Sequence, residues 1–481
     1  MLRCTHVWLT GAAILVSAGA QAADLPSRKA APVEYVRVCS THGTGFFYIP
    51  GTETCIRIGG RARYEFQYSQ PYSRGDSTTG SRALGRIFLD ARTATEFGLL
   101  RTFIRYDVSR RIGTVYSGTS ARIATAFVGT GVDFNGLAQT QVVLERAFVQ
   151  LGGLLAGRSS SYFGFYQGDL EFVGTTAGLS SSNDLTNLLA YTASFGGGFS
   201  ATLSIESAME TRNGIVNTTS AIGLPAGVGA PAFAYAGSGV PDVVGVLRYD
   251  DAWGTAQLSG VVTQVRAVGL TPVTGVVGSA AGWAPSTEYG YALNGGLKFN
   301  LPMLAKGDQL WLQATYTKGA TVYVTGNNFG LGKTTNYGYG NASGVGIADA
   351  LVTGNAPGSL SLTTAWGLTA AGLHYWTPTI RQALFASYIK IDYSTAAFFA
   401  ANGYTTAFNG NTQYRDWSYW TIGSNVIWSP VKDLDIGLEV NYQQNNVTGG
   451  GVFNRTVGAP ANWAQTQGSL WTTRFRIQRD F

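Results

Sequence analysis

The sequence predicts an all-β protein, a transmembrane antiparallel up-and-down β-barrel of about sixteen strands. Three observations predict it: strand-like segments with one polar and one apolar row, links between them that alternate strictly between short and long, and a composition poor in charge without being greasy. In residues 471–481, Trp471, Thr473, Phe475, Ile477 and Phe481 fall on one face of an extended strand, and Thr472, Arg474, Arg476, Gln478 and Asp480 on the other. Near the start, Arg57, Gly59, Arg61, Arg63, Glu65 and Gln67 alternate with Ile56, Ile58, Gly60, Ala62, Tyr64, Phe66 and Tyr68. One row calls for water and the other for hydrocarbon. Slipping this strand by one residue would turn Arg57, Arg61 and Arg63 toward lipid at about 2 to 4 kcal/mol each near the midplane, so the arginines are predicted to face the lumen.

The links set the topology. Short ones fall at 95–97, 151–153, 195–198, 250–253, 301–307, 377–381 and 429–433, each after an even-numbered strand. Long Gly/Thr/Ser/Asn-rich ones fall at 69–82, 109–138, 161–186, 207–241, 267–287, 319–361, 394–413 and 446–466. All long loops therefore lie at one end, and both termini at the short-turn end. Middle strands follow the same rule: Glu288, Asn294, Gly296, Lys298 and Asn300 alternate with apolar partners, as do Asp435, Gly437, Glu439, Asn441 and Gln443. Around 144–151 and 366–376 the alternation blurs, and Arg146 sits on the more apolar face; either an intersubunit contact or a bulge would account for this.

Charged residues make up 12% of the chain, aromatics 12%, and Gly 64 of 481 residues, with mean hydropathy +0.06. An average domain carries roughly twice that share of charge. The composition suits an apolar belt with aromatic edges and polar groups turned inward. Arg3 precedes an apolar run over 7–18, and Ala20, Gln21 and Ala22 offer a small-x-small cleavage site. The run is shorter than the roughly 20 residues of a membrane span. The predicted organisation is a signal peptide over 1–22, an N-terminal periplasmic segment over 23–54 that carries Cys39, and the barrel over 55–481.

Cys4 leaves with the leader, so Cys39 and Cys55 remain as a pair in an oxidising compartment and are expected to form a disulfide. Closing a loop of about 15 residues would stabilise by roughly 3 kcal/mol. With only His42 and His374 left after cleavage, no metal site is expected. No Ser/His/Asp constellation or phosphate-binding glycine motif is recognisable, which argues against an enzyme and against a cofactor. The net charge of +6, one less after loss of Arg3, is dispersed among acids and does not indicate nucleic-acid binding.

Chemistry therefore rests on what lines a wide lumen. Arg57, Arg61, Arg63, Arg86, Arg101 and Arg105 take inward positions on the first three strands and form a basic wall, with Asp90, Arg92 and Asp107 beside them. The third long loop carries Asp169, Glu171 and Asp184. Folded inward, these carboxylates would face the arginines and set up a transverse field; folded outward, they would merely be solvated.

Residues 36–60, VRVCSTHGTGFFYIPGTETCIRIGG, residues 145–166, ERAFVQLGGLLAGRSSSYFGFY, and the terminal Phe481 resemble the alphaproteobacterial outer-membrane porins over essentially the whole exported chain. The resemblance implies a homotrimer of sixteen-stranded barrels in outer-membrane lipid, passing small hydrophilic solutes and ions. It also implies an inward third loop bearing Asp169, Glu171 and Asp184 at the constriction, and Phe481 as the signal read by the barrel assembly machinery. The sixth long loop, 319–361, matches no family feature. Two alternatives stand beside the general pore. One is a substrate-selective channel guided by aromatics such as Trp311 and Trp417, for which girdle or loop placement is favoured. The other is a secreted soluble β-rich adhesin or hydrolase.

Overall fold

The computed structural model describes residues 37–70, 78–113, 138–178, 184–210, 212–217, 232–270, 284–326, 347–353, 359–393, 416–447, 452–453, 464–465 and 467–481; the expected signal peptide lies outside them. Sixteen long strands pair antiparallel in chain order: β1 (Cys55–Ser69), β2 (Thr79–Thr95), β3 (Gly98–Ile112), β4 (Ala138–Leu151), β5 (Leu154–Ser160), β6 (Leu185–Gly196), β7 (Phe199–Glu206), β8 (Asp242–Asp251), β9 (Gly254–Val265), β10 (Glu288–Asn300), β11 (Gln309–Lys318), β12 (Thr364–Thr377), β13 (Ile380–Asp392), β14 (Trp417–Val431), β15 (Leu434–Val447) and β16 (Gln467–Asp480). β16 pairs back onto β1, from Arg61 opposite Asp480 to Ser69 opposite Thr472, and closes the barrel. Closure leaves no strand edge, which lets strands cross hydrocarbon with every ladder bond made. No described helix is long and apolar enough to cross a membrane.

The outer face shows which way each row points. Ile58, Tyr64, Phe66 and Tyr68 of β1 are exposed while Glu65, Gln67 and Ser69 between them are buried in the interior. Exposed Leu247, Leu258, Leu293, Leu297, Leu312, Leu368, Leu384, Ile422 and Leu438 continue the apolar belt around the barrel. Linked ring pairs border it at both ends. Tyr291–Tyr316, Trp366–Tyr388, Trp420–Tyr442 and Tyr442–Trp471 lie toward the long loops, and Phe199–Tyr249, Tyr249–Trp253 and Trp253–Phe299 toward the short turns. Aromatic rings flanking an aliphatic band match the two interfaces of a bilayer.

Both blurred stretches have a physical cause. In β4 the ladder passes from Arg105 opposite Arg146 to Tyr106 opposite Leu144, so Glu145 is the extra residue of a bulge. The bulge shifts the phase by one and turns both Glu145 and Arg146 inward. In β12 the inward row is small, with Ala365, Gly367, Thr369 and Ala371, because loop residues rather than water cover it. Its ladder is also irregular between Tyr375 and Thr377.

At the short-turn end, Phe47–Tyr48 pairs with the start of β1, and Cys39 is joined to Cys55 with 6.0 Å between Cα atoms. Cys39, Phe46 and Cys55 form a small buried cluster under Tyr48, and the Arg92 guanidinium lies over the Phe46 ring at 4.7 Å. His42 lies close to both sulfurs, but a disulfide offers no thiolate to a metal. A C39S/C55S variant is expected to keep its barrel while losing about 3 kcal/mol of constraint on the N-terminal segment. Limited proteolysis should then cut within 37–54 faster than in the parent.

Candidate functional site

The interior wall of β16 and β1–β4 is rich in arginine because these rows face the lumen. Arg57, Arg61, Arg63, Arg86, Arg101 and Arg105 all stand on it. It is a lattice of ion pairs rather than a bare basic surface. Arg61 pairs with Asp480 at 2.5 Å, Arg86 bridges Asp107 at 2.7 Å and Glu145 at 2.8 Å, and Arg101 and Arg92 both reach Asp90 at 2.8 Å. Arg105 pairs with Glu145, Arg82 with Glu65, and Arg476 also reaches Glu65 at 2.6 Å with Arg474 at 3.7 Å. Eight arginines thus share five carboxylates. Arg63 donates to Gln478 at 2.8 Å and Arg57 lies over Phe88 at 5.6 Å, so each adds a guanidinium to the excess.

The third loop lies inside the barrel, against the opposite wall. It leaves β5 with Tyr162 N–H donating to Glu206 at 3.1 Å. The Phe163 carbonyl accepts from Ser259 at 2.7 Å, and Tyr166 N–H donates to Gln313 at 2.7 Å. The loop reaches β15 and β16 at Phe172. There the Glu439 carboxylate accepts the Phe172 and Val173 N–H groups at 2.5 and 2.9 Å, and the Arg476 guanidinium lies 3.9 Å from the centre of the Phe172 ring. The chain turns back along β14 and β13, where Tyr419 donates to the Thr175 carbonyl at 3.1 Å and Ala177 N–H to Ser387 at 2.7 Å.

Glycines on the inward rows make room for this path. A Cβ at Gly296 would meet the Phe165 ring at 2.1 Å, and one at Gly437 the Phe172 ring at 2.8 Å. The loop is seated in recesses built into the wall.

The three loop carboxylates part company. Asp169 is exposed, and the charges of Arg146 and Lys298 act on it. Crowding by protein still raises its pKa above the ordinary carboxylate range. Glu171 does not face the arginines. It is buried in the loop's own turn, accepting Thr176 Oγ1 at 2.6 Å and Thr175 N–H at 3.2 Å. Asp184 is buried as well, where the chain rejoins β6, and its carbonyl accepts Ser161 N–H at 2.6 Å. Of the three acids expected to face the arginines, only Asp169 is exposed; Glu171 and Asp184 are buried.

Burial pushes the Glu171 carboxyl up to about 7, reinforced by the charge of Glu439 and opposed by its Thr176 and Thr175 bonds. Burial likewise brings Asp184 to about 7, opposed by Ser160 and Arg146. A docked loop whose acids titrate near 7, while the released loop titrates near the ordinary 4.5 of Glu and 3.8 of Asp, binds more protons between those values and 7. Its docking is fully favoured below pH 3.8, weakens as pH rises to about 7 and is level above that. Open-channel current noise should accordingly grow between those limits, and E171Q/D184N should flatten the dependence.

The two tryptophans also differ from expectation, since neither lies in a girdle or an external loop. Trp311 faces inward beneath Phe165 and Tyr166, at 5.2 and 5.7 Å between ring centres, with Lys298 over it at 4.7 Å. Trp417 is 1% exposed, in an interior cluster with Ala177, Val324 and Tyr419. Trp311 is partly buried and Trp417 is covered. The residues the sequence did not single out are Glu439 and Gln313, which seat the loop, and Glu145, which joins the arginine lattice. Each carried a signal: Glu439 and Gln313 have inward parity, and Glu145 stands where the alternation breaks. Phe481 pairs with Gly60 through N–H to O at 3.1 Å and O to N–H at 2.9 Å, and its ring lies where a Gly60 Cβ would be.

The sequence matches the porin subfamily over residues 24–467. The chain belongs to the porin subfamily. This porin is 32% identical over 345 residues to porin Omp2b of Brucella suis biovar 1 and, over the same length, to that of Brucella abortus, covering 66% of its own chain and 85% of each relative. Among solved structures, the outer-membrane channel DcaP of Acinetobacter baumannii is similar in fold, with TM-score 0.53 at 13% identity over 90% of the porin and 99% of DcaP. The porin is thus an integral outer-membrane protein that forms a general diffusion pore.

Proposed function

We propose that the arginine lattice of β16 and β1–β4 and the lumen-facing Asp169 set which solutes the pore passes, with Arg57, Arg61, Arg63, Arg86, Arg101 and Arg105 giving a net preference for anions among small hydrophilic solutes. The observation that carries this reading is the unequal pairing of the wall, eight arginines to five carboxylates, facing a loop that exposes one acid. In a narrow aqueous opening, fixed charge of one sign raises the local concentration of the opposite ion. The protein works as a channel without catalytic chemistry, as a homotrimer in outer-membrane lipid, exported by the leader over 1–22 and delivered through Phe481 to the assembly machinery. Residues 37–54 cap the short-turn, periplasmic end. Reversal potentials in asymmetric KCl test the preference: anion-side values support it and cation-side values reject it. Swelling of liposomes in neutral sugars separates a general pore, whose rates fall smoothly with solute size, from a selective one that saturates with a single sugar.

A further inference from the structure

The apolar inward residues Val244 and Val246 of β8, Val261 of β9 and Ala292 of β10 are out of place on a wall that should face water. They are covered by the start of the sixth loop. Val322–Thr325 forms one helical turn whose four residues are all buried, and Ala320, Val322 and Tyr323 pack on that apolar patch together with Phe163 of the third loop. Contact between the two loops is direct. Gly178 N–H donates to the Val324 carbonyl at 2.7 Å, and Phe163 and Tyr323 meet edge to face at 4.6 Å. Gly367 of β12 seats both, since a Cβ there would lie 2.9 Å from Ala177 Cβ and 3.2 Å from Val324 Cγ1.

One carboxylate gathers the sixth loop's two arms. Asp349, buried, accepts Thr321 N–H and Thr321 Oγ1 at 2.7 Å each through Oδ1, and Tyr235 OH at 2.7 Å and Asn213 N–H at 3.0 Å through Oδ2. Tyr235 and Asn213 belong to the fourth loop. The strand that follows Asp349, Ala350–Thr353, runs parallel to Ile215–Asn217 of the same loop.

We propose that the sixth loop is a second constriction element that holds the third loop against the wall, with Asp349 as the residue that positions it. This rests on the pore reading and deepens it: the aqueous path is confined to the arginine side of the lumen, and the size limit is set by two loops rather than one. The test is single-channel conductance, with exclusion of polyethylene glycols of graded size, for D349A, D349N and G367V. Heat-modifiable mobility in gels verifies that each barrel is folded. D349A removes the acceptor for four donors, whereas G367V dislodges both loops from the wall side with Asp349 intact. The expected result is an about two-fold rise in conductance and a larger polymer cut-off for D349A and G367V, because conductance follows the open cross-section, with a smaller change for D349N. Parental conductance and cut-off in folded D349A and folded G367V would overturn the proposal. Absence of channels in the parent would instead reject the pore reading.

Discussion

Replacing Glu439 by alanine is expected to unseat the tip of the third loop and raise both conductance and current noise. Its carboxylate accepts two consecutive backbone N–H groups, from Phe172 and Val173, and Asn425 Nδ2 at 3.0 Å. Hydrogen bonds to a charged acceptor contribute about 1.5 to 3 kcal/mol each. The Phe172 carbonyl keeps its contacts with Arg474 and Arg476, but the Phe172 and Val173 N–H groups lose their acceptor. The released tip hydrates in the lumen, so the barrel itself should remain folded. Single-channel records of E439A would show larger, noisier steps than the parent, and E439Q, which keeps one acceptor oxygen, should fall between. Parental steps from a folded E439A barrel would mean that the loop is held elsewhere.

Neutralising Arg101 and Arg105 together is expected to move ion preference toward cations without unfolding the barrel. Asp90 keeps Arg92, and Glu145 keeps Arg86, so neither carboxylate is left alone. A unit charge about 7 Å from a passing ion changes its energy by about 0.6 kcal/mol at the dielectric constant of water. Two lost charges should therefore shift the permeability ratio about three-fold or more at low salt, fading near 1 M, where the screening length is about 3 Å. Reversal potentials of R101Q/R105Q at low and high salt check both the sign and the fading. Unchanged values at low salt would remove the wall from the selectivity mechanism.

The barrel was legible because its polar rows are charged. Arg57, Arg61 and Arg63 in β1, and Arg474 and Arg476 in β16, leave only one register compatible with lipid on the other side. The short turns were legible because links of two kinds alternate. What escaped was anything decided by packing across the lumen. Glu171 and Asp169 stand two residues apart in one polar, glycine-rich loop, and composition does not say which turns toward water. The recesses that seat the loop appear in the sequence only as glycines on polar rows, Gly296, Gly367 and Gly437, which could equally have been gaps in a wet wall. Trp311 and Trp417 had the parity of inward residues, but residue type suggested the membrane edge, and parity was the better guide. The β4 bulge shows as lost alternation, yet which residue is the extra one depends on the partner strand.

In the proposed pore, water is enclosed behind an arginine-lined wall narrowed by folded-in loops. Recording the purified protein in a planar bilayer tests it most directly. Uniform stepwise insertions, a current proportional to voltage at low field, and an anion-side reversal potential in asymmetric KCl are expected. Folded protein that inserts into the bilayer yet conducts no ions would contradict it.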